Sequence, residues 1–255
     1  MKITFKDNKI LTLEGKTFSL VPTMYDVTCE DDGHGSVLAT PNRGTKGSLI
    51  ELSNTPNDGY LFDYYTVDDV QIQGNTFTLQ NDCIVFGKFK EEPLPFNTVH
   101  IGNQIWSDDL TVDDGLDGIK TATDPYYNVL IPGTYYYYSS DASVRIASKF
   151  SARGWRIPTE SDWNTLYSYA GSNISKLKST TSWGYGGNGT DNYGFRLLGL
   201  GAYYGSSLYY INQHAYVLFK YNSSTYKYKQ ITFDNEISEF SRSSFFAPLR
   251  LVKDA

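Results

Sequence analysis

Hydrophobic and polar residues alternate in short runs through the first third of the chain, and this pattern predicts β-strands rather than helices. The alternation is clearest in IELS at 50–53 and in TFTLQ at 76–80, and glycine, asparagine and aspartate residues separate one run from the next. Such residues end strands because they accept the backbone conformations that turns require. We therefore predict a β arm over residues 1–22 and a small all-β module over residues 23–92.

Helical spacing of apolar residues begins later in the chain. Residues 141–152 carry apolar side chains at roughly helical intervals, which predicts a first helix. Thr159 is a natural N-cap for a second helix, and Gly171 is placed to end it. Apolar residues of this second helix recur at i, i+3, i+4 and i+7 and predict a buried stripe: Trp163, Leu166, Tyr167 and Ala170. A short third helix is predicted over residues 173–180.

The charged, proline-containing run EEPLP at 91–95 is the clearest domain boundary in the sequence. Proline and charge together disfavour continuation of a strand or a helix through this point. Residues 93–96 are accordingly predicted as a linker and residues 97–255 as a second domain. Two or three short helices early in that domain, followed by many short strands, predict an α+β fold with a β-rich C-terminal half.

The segment SARGWRIPTESDW at 151–163 raises the question of a catalytic arginine cluster. Gly154 permits a tight bend, and Pro158 fixes the backbone immediately before the helix cap. Alternation would point Trp155 inward and Arg156 outward. We therefore interpret the segment as a strand–turn–helix corner with a structural role.

Composition favours a contact surface over a general metabolic enzyme. The 255 residues include 22 tyrosines, and aromatic residues make up 16% of the chain. Residues 1–92 hold 8 basic and 14 acidic side chains and account for the whole net charge of −6. Because no lysine- or arginine-rich run is present, we expect no nucleic-acid partner. No apolar stretch reaches the length of about 18 residues that crosses a bilayer, so membrane insertion is not expected either.

Catalytic chemistry finds little support in the sequence. The three histidines, His34, His100 and His214, are scattered, and no G-x-S-x-G nucleophile elbow accompanies them. Zinc-type spacings such as H-x-x-x-H and C-x-x-C are also missing from the sequence. Each histidine is interpreted as a surface or core residue. We therefore predict no catalytic residues, no metal ligands and no enzymatic activity.

Calcium is the one cofactor for which the sequence offers candidate ligands. Carboxylate oxygens suit Ca²⁺, and five of them fall within 108–118: Asp108, Asp109, Asp113, Asp114 and Asp117. Asp191 and Asn192 form a second, smaller group. The spacing is not that of an EF-hand, so solvated acidic loops and Asx turns are the favoured interpretation of both groups.

The two cysteines, Cys29 and Cys83, both lie in the N-terminal part of the chain. They would be able to form a disulfide if their strands were neighbours. The favoured interpretation is two reduced cysteines that pack in the core.

Tyrosines are concentrated near the end of the chain. Residues 203–228 contain eight of them, interleaved with serine and asparagine, and TYYYYSS at 134–140 is a second rich run. Such mixtures combine rigid amphipathic contact area with adaptable hydrogen bonds, as antibody paratopes do, although tyrosine is also common in β-sheets. The predicted ligand-binding residues are Tyr203, Tyr204, Tyr209, Tyr210, Asn212, Tyr216, Tyr221, Tyr226 and Tyr228.

Five motifs in residues 97–255 resemble the Fibrobacter succinogenes major paralogous domain. They are VHIGNQIW (99–106), GWRIPTESDWNTL (154–166), SKLKS (175–179), GTDNYGFRLLGLGAYY (189–204) and LRLVKD (249–254). The resemblance implies a C-type-lectin-like fold of the kind shared with formylglycine-generating enzymes, in which the tyrosine-rich late region would face a ligand. Leu251 stands where the family often has cysteine, and residues 93–255 contain none, so the cysteine chemistry of those enzymes is not expected.

Residues 24–92 resemble the divergent InlB B-repeat, a small β module of bacterial surface proteins. The resemblance rests on HGSVLATPNRG at 34–44, NDGYLFDYY at 57–65 and NTFTLQ at 75–80. Both resemblances point to exported surface proteins of the Bacteroidales type.

The sequence start lacks the apolar run of a secretion signal. Together with the two resemblances, this favours a phage virion protein, a fibre or decoration that contacts a cell-surface glycan or protein of the host. Its other partners would be further virion proteins or copies of itself, with a trimer as the oligomer considered. The alternatives are a bacterial cell-surface adhesin and a purely structural virion decoration.

Overall fold

The computed structural model describes residues 11–13, 16–18, 22–123 and 133–255. The chain divides into two compact units between Glu92 and Pro93. Of the described residues, 44% lie in strands and 11% in helices.

The first unit is built from ten strands within the described residues. They are β1 (Leu11–Leu13), β2 (Lys16–Phe18), β3 (Met24–Asp31), β4 (Gly35–Thr40), β5 (Arg43–Thr45), β6 (Leu49–Pro56), β7 (Tyr60–Val67), β8 (Val70–Gln71), β9 (Thr76–Thr78) and β10 (Cys83–Glu91). β1 and β2 form an antiparallel hairpin within the predicted arm. Residues 1–10, 14–15 and 19–21 of the predicted arm lie outside the described residues.

Two sheets make up the body of the first unit. One has the strand order β5-β3-β10-β7-β8 and the other β4-β6-β9. β3 and β10 pair in parallel, and the other pairs within these sheets are antiparallel. The alternation in IELS is confirmed, since Ile50 and Leu52 are buried and Glu51 and Ser53 are exposed.

The two sheets approach each other closely at two glycines. A Cβ on Gly87 would lie 2.2 Å from Val37, and a Cβ on Gly35 would lie 2.3 Å from the ring of Phe89. Both contacts join β4 to β10, so glycine at these positions lets the sheets pack face to face. Cys83 belongs to the core between them, Cys29 packs against that core, and both thiols are free.

The second unit contains eleven strands among the described residues. They are β11 (Thr98–Ile101), β12 (Gln104–Ser107), β13 (Ile119–Thr123), β14 (Thr134–Tyr138), β15 (Ala202–Tyr204), β16 (Ser207–Tyr209), β17 (His214–Lys220), β18 (Tyr226–Thr232), β19 (Ile237–Phe240), β20 (Phe245–Phe246) and β21 (Val252–Asp254). These strands form four small sheets, with the orders β11-β12-β21, β13-β14, β16-β15-β20 and β17-β18-β19.

Two α-helices accompany these sheets, α1 (Ser140–Ser148) and α2 (Glu160–Tyr169), with 3₁₀ turns at Ser151–Arg153 and Ile174–Lys176. The N-cap predicted at Thr159 is confirmed. Its hydroxyl accepts from the backbone N–H of Asp162, and the Asp162 side chain accepts from the backbone N–H of Thr159. These paired bonds satisfy two backbone donors at the start of α2. Three members of the predicted stripe, Trp163, Leu166 and Ala170, are buried.

At the corner between the helices, the predicted alternation of inward and outward side chains is confirmed. Trp155 and Ile157 are buried, while Arg156 is partly exposed and forms ion pairs with Asp162 and Asp254. Arg156 also exchanges backbone hydrogen bonds of 3.0 and 2.9 Å with Val252. The arginine thus fastens the start of α2 to the last strand of the chain.

The predicted fold class is wrong. The chain is mostly β, with many small sheets, and the predicted C-type-lectin-like α+β domain with two or three helices at 97–255 is not what forms. The helix predicted over 173–180 is reduced to the single 3₁₀ turn at Ile174–Lys176. Lys178 instead pairs its backbone with Leu197 in an isolated bridge, so the chain leaves helical geometry there.

Candidate functional site

An open aromatic cleft of about 450 Å³ lies in the second unit beside the β15–β16 hairpin. Its volume falls within the range of roughly 300–1,000 Å³ that is usual for small-molecule sites. The residues that line it come from two sheets and the chain after β19: Ala202, Tyr204, Tyr209, Tyr210, His214, Tyr216, Gln230, Ser238, Glu239, Phe240, Ser241, Arg242 and Phe245. We call this surface the aromatic cleft.

A tight turn after β16 builds one wall of the aromatic cleft. Tyr210 and Asn212 have positive φ angles of 59° and 56°, and the backbone N–H of His214 donates to the carbonyl of Tyr210 at 3.0 Å. This turn returns the chain beneath the tyrosine ring. The rings of Tyr210 and His214 therefore stack, with centroids 4.4 Å apart and planes 17° apart.

Polar contacts fix the imidazole of His214. Its Nδ1 lies 3.0 Å from the hydroxyl of Tyr216 and 3.2 Å from the amide nitrogen of Gln230. Burial lowers the pKa of His214 below its usual 6.5, while nearby Asp234 acts in the opposite direction. The neutral imidazole is thus favoured, and because the amide nitrogen of Gln230 can only donate, Nδ1 is its acceptor.

The floor of the aromatic cleft is a packed set of rings. Tyr216 meets Phe245 edge to face at 5.0 Å and Phe240 at 5.9 Å. Phe240 and Phe245 contact each other edge to face at 5.1 Å. Burial also raises the pKa of Tyr216, so its hydroxyl stays protonated at neutral pH. The floor is rigid and apolar, and it carries one hydroxyl group.

Two charged side chains lie on the rim of the aromatic cleft. The guanidinium of Arg242 lies over the ring of Tyr204, 4.9 Å from its centroid. Glu239 is held from the outside of the cleft, since one of its oxygens accepts from Lys229 and the other lies 3.9 Å from the Nζ of Lys227. The arginine is therefore the charge on the rim that remains available to a ligand.

Four of the nine predicted binding residues meet in the aromatic cleft: Tyr204, Tyr209, Tyr210 and Tyr216. Asn212 lies in the adjoining turn, where its side chain faces Gly184. Tyr203 packs edge to face on Tyr137, on the other side of β15 from Tyr204. Tyr228 is buried and stacks on Phe240.

The remaining predicted residues lie away from the aromatic cleft. Tyr221 is 46% exposed beside the β17–β18 turn, where the amine of Lys227 lies 3.3 Å from its ring centroid. Tyr226 lines a separate groove with Trp155 and Lys220. Within the run at 134–140, Tyr137 and Tyr138 are fully buried, and the Tyr137 hydroxyl donates to the carbonyl of Leu200 at 2.9 Å.

Sequence reasoning missed several residues of the aromatic cleft, chiefly His214, Gln230, Phe240 and Arg242. His214 stands two residues before Tyr216 on β17, so strand alternation places both side chains on one face. That signal was available in the sequence. No local pattern marks Arg242, because it reaches the cleft only through the pairing of β19 with β18.

Four of the acidic residues considered for calcium have other partners. Asp109 binds Arg250 through both of its oxygens, Asp114 does the same with Arg145, and Asp108 accepts from Asn97. Asp191 accepts from the backbone N–H of Arg196 at 2.8 Å. Across residues 22–123 and 133–255, the structure shows no group of three or more His, Cys, Asp or Glu side chains able to hold a metal ion.

The other two histidines, His34 and His100, do not line the aromatic cleft. His34 stacks on Tyr60 in the first unit, with ring centroids 4.1 Å apart. His100 lies on β11 in the second unit, opposite Ile105 of β12.

Among the helices that the structure describes, none is long and apolar enough to cross a membrane.

The first unit is a small all-β module of two closely packed sheets. Residues 25–93 of the chain match the family model of the divergent InlB B-repeat domain. The N-terminal resemblance is thereby confirmed, and it indicates a surface or adhesin-type module. No curated protein and no solved structure matches the chain significantly.

Proposed function

We propose that the protein is a non-enzymatic, surface-displayed binding protein whose aromatic cleft contacts a glycan or protein on a cell surface. In this proposal the InlB B-repeat module spaces the second unit from its attachment point. The observation that carries the proposal is the aromatic cleft itself. Separate strands and turns bring Tyr204, Tyr209, Tyr210 and His214 to one open surface.

The exposure of these rings supports binding more than folding. Tyr210 is 52% exposed and Tyr209 and Tyr204 are similarly open, although buried rings lie directly beneath them. Aromatic surface that stays exposed to water adds no hydrophobic stabilisation to the folded core. Tyrosine on a rigid base loses little conformational entropy when a ligand covers it, which makes it an efficient contact residue.

The proposed location is a virion surface, with the bacterial cell surface as the alternative. The match of residues 25–93 to a family of surface modules supports display at a surface and is compatible with either location. Immunogold labelling of producing cells and of the particles that they release distinguishes the two. Label on particles supports the virion, and label confined to cell envelopes supports the alternative.

The test of the proposed function is binding of the purified chain to whole Bacteroidales cells, measured by flow cytometry. The double variant Tyr209→Ala/Tyr210→Ala removes two exposed rings from the cleft. Tyr221→Ala is the matched control, because Tyr221 is equally exposed but does not line the cleft. Losing central aromatic contacts typically weakens binding by at least about 2 kcal/mol, which is more than tenfold.

We expect the parent chain and Tyr221→Ala to bind, and the double variant to lose binding while it keeps its melting temperature. Equal binding by all three proteins would show that the contact surface lies outside the cleft. If a folded parent chain bound no cells at all, a purely structural role would replace the proposal.

A further inference from the structure

The charges that line the aromatic cleft indicate the chemistry of its ligand. Arg242 is exposed, and within the described part of the chain no carboxylate pairs with its guanidinium. Its contact there is the face of the Tyr204 ring, 4.9 Å from the centroid. That contact orients the planar group and leaves its N–H donors free for a ligand.

The one carboxylate that lines the aromatic cleft does not cancel this charge. Glu239 is bound by Lys229 and lies 3.9 Å from Lys227, so two cations neutralise one acid. Asp234 acts on His214 from outside the set of lining residues. The cleft therefore presents an unopposed positive charge in a chain whose net charge is −6.

An aromatic platform, the ring of Tyr210 backed by His214, lines the same cleft as this charge. Tyr210 is 52% exposed although His214 stacks against its ring, and the ring of Tyr209 lies 6.1 Å from that of Tyr210 at a tilt of 42°. Flat rings of this kind suit the apolar face of a pyranose, with tyrosine hydroxyls at the edge as hydrogen-bond partners. Ser238 and Ser241 also line the cleft and offer further hydroxyl groups.

We propose that the aromatic cleft binds a glycan that carries a carboxylate group, with the sugar ring on the Tyr210–His214 platform and the carboxylate on Arg242. The inference rests on the proposed function and names the ligand class of the same site. A guanidinium matches a carboxylate through two parallel N–H···O bonds, so it selects this group over a hydroxyl. An acidic peptide is disfavoured because the open platform suits a flat sugar face, and the test includes it.

The probes are trigalacturonate, a glucuronate-terminated disaccharide and sialyllactose, each paired with its own methyl ester. Esterification removes the negative charge and keeps the sugar skeleton. A Glu-rich decapeptide provides the peptide arm. Affinities are measured by calorimetry with the full chain at low salt and at high salt, because screening weakens an exposed ion contact.

Arg242→Gln is the informative variant, since it removes the charge and keeps much of the length of the side chain. Arg196→Gln is the control, because Arg196 is also exposed in the second unit but lines a different depression. Arg242→Lys keeps the charge and loses the planar fork. Since hydrogen bonds to charged groups are worth more than neutral ones, we expect Arg242→Gln to weaken binding of the acid about tenfold or more.

The expected result is that at least one acidic glycan binds about tenfold more tightly than its ester, and that Arg242→Gln removes the difference while Arg196→Gln keeps it. Equal binding of acid and ester would overturn the inference and leave the proposed function intact if Tyr209→Ala/Tyr210→Ala still abolished binding to cells. Binding of the peptide alone, or of no probe, would also overturn it.

Discussion

The rings of Tyr210 and His214 stack across a single tight turn, with centroids 4.4 Å apart. The stack covers one face of the imidazole, while Tyr216 and Gln230 approach its Nδ1. Burial lowers the pKa of His214 below 6.5, against the opposite influence of Asp234. The folded protein thus resists protonation of a histidine that titrates normally in the unfolded chain.

This relationship predicts a stability change in mildly acidic solution. As the pH falls below 6.5, the unfolded chain takes up the proton before the folded chain does, so the free energy of unfolding decreases until the folded pKa is reached. His214→Gln keeps hydrogen-bonding capacity without titrating. We expect melting temperatures measured between about pH 8 and about pH 5 to fall more for the parent than for this variant. Parallel curves would show that His214 is not the group responsible.

A second pH effect is expected at lower pH from Asp114. The hydrogen bond from Arg145 is the main cause that lowers the pKa of Asp114 from 3.8 to about 2. Its stabilising contribution is complete above the unfolded value and is lost as the pH falls through the folded value. Asp114→Asn should therefore be less stable than the parent at neutral pH, with the gap closing towards about pH 2.

Asp113→Asn is the control for this effect, because Asp113 accepts from the backbone N–H of Gly115 rather than from an arginine. Urea denaturation at several pH values measures the gap between each variant and the parent. A gap for Asp114→Asn that stayed constant with pH would assign the loss to packing rather than to the ion pair.

Backbone geometry beside the aromatic cleft gives a third prediction. Gly201 has a φ of 64°, and a Cβ there would lie 2.1 Å from the carbonyl oxygen of Tyr209. A left-handed φ is strained for alanine, and its Cβ would clash with this oxygen. We therefore expect Gly201→Ala to lower the free energy of unfolding by about 3 kcal/mol. Gly205 has a φ of 59° with nothing within 4 Å, so Gly205→Ala should cost only about 1 kcal/mol. Equal losses in thermal unfolding would mean that the close approach to Tyr209 relaxes freely.

Local signals in the sequence were sufficient for the start of α2. Thr159 and Asp162 are three residues apart, and their capping bonds need no distant partner. The buried stripe follows from spacing alone, since a helix brings i, i+3 and i+4 to one face. The alternating strands of the first unit are predictable for the same reason.

Distant pairings explain what sequence reasoning missed. Residues 173–180 have helical spacing, but the chain at Lys178 turns away, and its buried amine donates to the carbonyls of Thr232 and Phe233. Likewise, Arg242 joins the aromatic cleft because β19 pairs with β18. Tyrosine density marked the right region, but it did not distinguish the open ring of Tyr210 from the buried ring of Tyr228.

The last prediction concerns the buried arginine near the end of the chain. Arg250 is 2% exposed, binds both oxygens of Asp109 and donates to the backbone carbonyls of Phe195 and Arg196. Arg250→Met would leave a carboxylate and two carbonyls without their partner, which should lower the free energy of unfolding by about 3–5 kcal/mol. Arg250→Lys should recover little, because a single amine cannot span both the carboxylate and the carbonyls.

The double variant Arg250→Met/Asp109→Leu distinguishes the loss of the ion pair with Asp109 from the loss of the hydrogen bonds to the two carbonyls. It removes the stranded carboxylate together with the arginine, so we expect part of the stability to return in urea denaturation. Losses that simply added would mean that the two side chains act independently. In that case the arginine would stabilise the unit through the Phe195 and Arg196 carbonyls and its contact with the Phe195 ring, 4.5 Å from the centroid, rather than through Asp109.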